Sequence, residues 1–173
     1  MIYKLLKYTG LLAGLVLLQL VVLNNIQFSG YVNPFIYIYL LLVIPVDTDN
    51  LVLLLIAFVT GFIMDIFGGT PGMHASAMVA AGFLRPFILR AVAVRDGYEK
   101  GSVPSVSEFG LRWFLVYSLM MILVHHFVLF YMEVFSFAGF FHTLLRVLLS
   151  VIFTFVSVVL LEVYVAGNIR RTR

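Results

Sequence analysis

The sequence predicts an all-α integral membrane protein: one domain over residues 1–173, folded as a bundle of six transmembrane helices. Three observations predict it. Apolar residues make up 63% of the 173 and charged residues 11%, against roughly 25% charged in a soluble domain. Mean hydropathy is +1.12, more than one water-surrounded core can hide. Apolar runs near the length needed to cross hydrocarbon, about 20 residues, recur with short polar breaks, leaving no room for a separate extramembrane domain. A soluble domain, a disordered chain and a nucleic-acid module are excluded. The chain has no cysteine, which rules out disulfides, thiolate metal sites and cysteine nucleophiles.

The elements follow in order. Lys4 and Lys7 precede an apolar run over 5–23. The Asn24-Asn25-Ile26-Gln27 that follows lacks a small-x-small cleavage site, so the run reads as an uncleaved first span. Asn33 and Pro34 read as cap and first residue of a second helix, 34–46, which is short for a crossing. The turn Asp47-Thr48-Asp49-Asn50 is rich in capping residues and opens a third helix, 51–67. Gly68-Gly69-Thr70-Pro71-Gly72 breaks the chain, with Thr70 as cap and Pro71 opening a fourth helix, 71–94, which Pro86 is expected to kink. The hydrophilic stretch Arg95–Pro104 leads to Ser105-Val106-Ser107-Glu108, spaced as a capping box, and a fifth helix, 106–132. The sixth covers 140–165.

Lysine and arginine placement orients the bundle. With both termini cytoplasmic, ten of the eleven positive residues fall on or near the inner side, and Arg146 alone lies outward.

Ionisable and polar groups at membrane depth cost energy and face protein or water. On the sixth helix His142, Arg146, Ser150, Thr154 and Ser157 recur at three- and four-residue spacing, within an arc of about 120°. This polar seam faces inward, either as a ligand cavity or partner groove or as helix-packing surface. On the third helix Gly61, Asp65 and Gly68 align, with Gly69 near them. Asp65 is expected to pair with Arg146, with His74 as the competing partner. Arg85 or Arg90 is expected to meet Glu162. Gly10 and Gly14 form a GxxxG on the first helix, for packing within the chain or between chains. His125 and His126 are adjacent and point about 100° apart, which disfavours a metal site. No nucleophile–base set and no phosphate loop stand in the sequence, so neither an enzyme nor a bound cofactor or metal is expected.

The segment Gly61-Phe62-Ile63-Met64-Asp65-Ile66-Phe67-Gly68-Gly69-Thr70-Pro71-Gly72-Met73-His74-Ala75 resembles the most recognisable stretch of MreD, the rod shape-determining membrane protein. Its features are a Gly, an Asp four residues on, a small-residue turn with Pro and Gly, and a helix opening with His-Ala. Length, the six-span layout and the basic cytoplasmic ends agree with that family, while Arg95–Pro104 is longer and more hydrophilic than its pattern. The resemblance implies a non-enzymatic component of the bacterial cell-elongation complex in the cytoplasmic membrane. Its partners would be MreC, MreB, RodA and a penicillin-binding transpeptidase. It also implies a fold like the substrate-binding subunits of energy-coupling-factor transporters, which supplies the alternative of a vitamin-binding subunit. In that case the outer residues Asn24, Asn25, Gln27, Tyr31 and Asn33 would form a lid; otherwise they face MreC. The inner basic residues are expected to contact anionic lipid headgroups.

Overall fold

The computed structural model describes residues 2–25, 32–95, 97–135 and 139–171. Gln27, Tyr31, Thr172 and Arg173, and the side chains of Lys4, Lys7, Asn25, Arg170 and Arg171, lie outside what it describes. The chain is helical: α1 (Ile2–Val21), α2 (Tyr39–Leu42), α3 (Asn50–Gly68), α4 (Met73–Ala91), α5 (Val106–Phe109), α6 (Leu111–Val134) and α7 (Phe140–Arg171). Among the described residues, three helical stretches are long and apolar enough to cross a membrane: Asn50–Gly68, Leu111–Val134 and Phe140–Asn168. Their outward faces carry Phe58, Phe62 and Ile66 on α3 and Ile152, Val156 and Leu160 on α7.

The helices α3, α4, α6 and α7 pack side by side in chain order, each mainly on the next, and α1 packs over the second element. Capping chemistry sets several boundaries. Asp49 opens α3 by accepting from the backbone N–H groups of Leu51 and Val52, and Gly69 closes it in the left-handed conformation at φ 63°, where glycine costs least. Ser105 caps α5 through the Glu108 N–H. The Glu108 carboxylate, however, accepts from Val103 rather than Ser105, so the reciprocal half of a capping box is not made. The predicted fifth helix is also two helices, because Gly110, at φ 83° and ψ 162°, turns the chain between α5 and α6. α4 runs unbroken through Pro86.

The second element departs furthest from expectation. Residues 34–46 are not one transmembrane helix capped by Asn33. Val32–Phe35 is non-helical, a 3-10 turn covers Ile36–Ile38, and α2 is four residues long. Every residue from Ile36 to Ile44 is buried, as expected for a stretch apolar on all sides. One end lies beside Gly68 and Met73, where α3 ends and α4 begins. The other donates from the Val46 N–H to the Ser102 carbonyl beyond α4. The element thus threads the bundle end to end through its middle. Four non-helical residues at up to about 3.3 Å, three 3-10 residues at about 2.0 Å and four α-helical ones at about 1.5 Å reach roughly 25 Å, where the same stretch wound as one α-helix would span only about 17 Å.

Non-helical backbone inside an apolar bundle leaves N–H and C=O groups that need partners. Side chains of the surrounding helices supply them. At the entry, the Asn33 N–H donates to Ser150 Oγ (3.0 Å) and the Phe35 N–H to Thr154 Oγ1 (2.9 Å). The buried Gln19 amide clamps the turn, donating to the Pro34 carbonyl and accepting from the Ile36 N–H, both at 2.9 Å. At the exit, the carbonyls of Leu42, Val43 and Ile44 accept from Tyr117, Tyr8 and Arg85.

Candidate functional site

The residues from Gly61 to Ala75 form one lock between α3 and α4. A Cβ at Gly61 would stand 2.5 Å from the Ala75 Cα and the His74 carbonyl oxygen, so only glycine lets the start of α4 press this closely on α3. The Asp65 carboxylate then accepts from the backbone N–H of His74 (2.9 Å), that of Ala75 (2.9 Å) and the Thr70 hydroxyl (3.0 Å). A carboxylate at a helix N-terminus meets unpaired donors and the positive end of the helix dipole together.

These contacts correct two expectations. Asp65 does not pair with Arg146; three donors from the turn and α4 already compensate it, and His74 meets it through its backbone N–H rather than its ring. Thr70 and Pro71 do not begin α4 either. The helix starts at Met73 after Gly72, whose side is uncapped, and Asp65 supplies the cap from across the turn. Arg146 instead pairs with Glu133 at 3.1 Å, and its guanidinium lies 4.8 Å from the centre of the Phe130 ring.

The seam on α7 is rotated from its predicted position. Its buried line runs through Thr143, Val147, Ser150, Thr154 and Val158, about 60° round the helix from the centre of the predicted arc at 100° per residue. Ser150 and Thr154 lie on it. His142 is exposed, Arg146 and Ser157 sit at its edge, and the Ser157 hydroxyl returns to its own helix at the Phe153 carbonyl.

A chain of buried rings joins this seam to the α3–α4 lock. Thr154 Oγ1 lies 2.9 Å from His126 Nε2, and His126 Nδ1 lies 3.0 Å from the Ile122 carbonyl and 3.3 Å from His125 Nδ1. The Tyr37 hydroxyl lies 2.8 Å from His125 Nε2 and 2.7 Å from His74 Nδ1. One tautomer assignment satisfies every link. A carbonyl only accepts, so His126 Nδ1 carries the proton and His126 Nε2 accepts from Thr154. His125 Nδ1 faces that proton and must accept, so His125 donates from Nε2 to the Tyr37 oxygen. Tyr37 then donates to His74 Nδ1, which leaves the His74 proton on Nε2. All donors point the same way, from α7 towards His74. The Phe35 ring packs edge-on to His74, centroids 5.3 Å apart, and 5.6 Å from His126.

The chain ends at a cleft. A space of about 280 Å³ opens between the ends of α1, α3, α4 and α6 and the start of the threaded segment; Asn24, Asn33, Thr70, His74 and Glu133 give it polar groups, and Leu23, Phe35, Met73 and Leu129 apolar walls. His74 Nε2 lies on the cleft side, 3.9 Å from where a Gly68 Cβ would stand.

A second polar layer lies towards the opposite end. Arg85 is 1% exposed. Its Nε donates to the Tyr117 hydroxyl at 2.8 Å and its Nη2 to the Ile44 carbonyl. It therefore does not meet Glu162, which accepts from the Tyr39 hydroxyl (2.6 Å) and the Val106 N–H (2.7 Å). Arg90 is exposed and lies over the Phe87 ring, 4.6 Å from its centre, also away from Glu162. Beyond α4, Tyr98 and Trp113 donate to the Leu89 and Val92 carbonyls at 2.7 Å each, closing the helix end. Burial pushes the Tyr98 phenol above its ordinary value and keeps it a donor. Sequence reasoning missed Gln19, Tyr37 and Tyr39 as network members. Each stands in an apolar run, and the signal was the polar tip itself.

No family model, curated protein or solved structure matches this chain.

Proposed function

We propose that this chain is an MreD-like component of the bacterial cell-elongation complex. In this reading it is a multi-pass, non-enzymatic protein of the cytoplasmic membrane that binds MreC and helps position peptidoglycan synthesis with MreB, RodA and a transpeptidase. The observation that carries the reading is the Gly61–Ala75 lock. The residues that resemble the MreD stretch, namely Gly61, Asp65, Gly68, Gly69, Thr70, Pro71, Gly72 and His74, stand together as one α3–α4 corner, and the two that bear most of it, Gly61 and Asp65, act on the same backbone positions.

The membrane reading counts six crossings: α1, the threaded segment, α3, α4, α6 and α7, with the cleft at the outer end and both termini inside. Three long apolar helices support it, as does the exposure of Arg90, Arg95, Lys100 and Arg112 at the end opposite the cleft. There each basic side chain would gain about 1 kcal/mol from anionic headgroups. Lipid tails give helices little hydrophobic reason to associate, so close contacts such as Gly61–Ala75 and the polar layers hold the bundle. The interior that a vitamin-binding subunit would keep for its ligand is filled by Ile36–Ile44.

Crosslinked affinity purification of the tagged protein from its native membrane, with mass spectrometry of what accompanies it, tests the proposal. Recovery of MreC, RodA and the transpeptidase is expected. Recovery of a transmembrane coupling subunit with paired ATPases, and none of the elongation proteins, would overturn it in favour of the vitamin-binding alternative.

A further inference from the structure

We infer that the outer cleft is a binding site for a peptide unit presented by another polypeptide, with His74 Nε2–H as its donor and the Glu133 carboxylate as its acceptor. Three observations carry this. His74 is 8% exposed, yet among the described residues its ring has one hydrogen-bonded partner, Tyr37 at Nδ1. The donor order from Thr154 to Tyr37 leaves its remaining proton on Nε2, on the cleft side beside Gly68. Among the described residues the fully buried side-chain nitrogen left without a partner is Arg146 Nε, so His74 Nε2 is not sealed in protein; it faces space of about 280 Å³, enough for a small side chain and its amide.

The lining selects the chemistry. Glu133 also borders the cleft, and its side chain remains 42% exposed beside Arg146, so it retains acceptor capacity. A donor and an acceptor in one cleft with Leu23, Phe35 and Leu129 as walls match a secondary amide carrying an apolar side chain. A phosphate offers acceptors alone and would meet the Glu133 carboxylate. Because Tyr37 and Thr154 belong both to the ring chain and to the threaded segment's anchoring, an occupant at His74 acts on the element that runs to the far end of the bundle. The inference holds whichever protein supplies the peptide, so its failure and the failure of the elongation reading are separate results.

The test uses the full-length protein in nanodiscs and a diazirine-bearing N-acetyl-leucine methylamide, with labelled residues mapped by mass spectrometry. The apolar groove lined by Leu84, Leu123 and Val124 serves as internal control. Saturable labelling at Leu23, Phe35 or Leu129 is expected. It should fall about tenfold in His74→Phe and in Glu133→Leu, recover in His74→Gln and in Glu133→Gln, which keep a donor and an acceptor, and leave control labelling unchanged. Cleft labelling that is indifferent to these variants would overturn the inference. So would labelling by a diazirine phosphatidylglycerol that the amide cannot displace. Should His74→Phe fail to fold, the Glu133→Leu arm and the ¹⁵N resonances of the wild-type histidines decide. Protons on Nε2 of His74 and His125 and on Nδ1 of His126 support the site; a proton on Nδ1 of His74 sinks it.

Discussion

Asp65 and Ala75 are joined by a hydrogen bond of 2.9 Å from the Ala75 backbone N–H to the Asp65 carboxylate, and Gly61 lets the Ala75 Cα approach α3 in the same corner. One carboxylate thus caps α4 from the helix before it. Replacing Asp65 by Ala strands two buried N–H groups at a cost of about 1–3 kcal/mol each. Asp65→Asn keeps one acceptor and should lose less. Equilibrium unfolding of the two variants in mixed micelles checks the order: Ala below Asn, and Asn below wild type.

Glycine positions separate by what surrounds them. Gly61→Ala should destabilise by about 1–3 kcal/mol, because backbone rather than a flexible side chain blocks the new methyl. Gly10→Ala and Gly14→Ala should be neutral or stabilising by up to about 1 kcal/mol, since no described atom lies within 4 Å of either position. Among the described residues the GxxxG of α1 therefore makes no close contact within the chain. Thermal unfolding of the three variants tests the contrast.

Charge exchange distinguishes the two acids near Arg146. The Arg146–Glu133 pair is partly exposed and worth about 0.2–1 kcal/mol. The double reversal of Arg146 and Glu133 should restore most of what either single reversal loses. The double reversal of Arg146 and Asp65 should restore nothing, because an arginine at 65 cannot accept from the His74 and Ala75 N–H groups. Membrane abundance of the three single and two double variants reads the result.

On α7, Thr154→Val removes the acceptor for Phe35 N–H and the donor to His126 together. A loss of about 2–3 kcal/mol is expected. Ser157→Ala, whose hydroxyl only returns to its own helix, should stay within about 0.5 kcal/mol. Equal losses in the two variants would contradict the rotated seam.

Much of the helical frame was legible because its signals are local. Asp49 caps α3, Gly69 ends it, and Ser105 opens α5, each within three residues of the boundary it sets. The Asp65 cap was not legible as such. Its partners stand nine and ten residues on, across a turn, and a buried acid suggested a basic partner when backbone amides suffice. The threaded segment was misread because Asn33-Pro34 has the chemistry of a helix start. The contrary signal was length together with an unbroken apolar run from Phe35 to Ile44, too short to cross as a helix and apolar on every side. The seam's polar spacing pointed to α7, but spacing alone could not tell which hydroxyls find backbone to bind.

The most direct test of the central claim uses cells in which Asp65→Ala is the sole copy, with Asp47→Ala as an exposed control. Protein abundance, MreC recovery and cell shape are measured together. The account predicts that Asp65→Ala lowers abundance or partner recovery and rounds the cells, while Asp47→Ala matches wild type. Normal abundance, normal MreC recovery and normal rods in Asp65→Ala would contradict it.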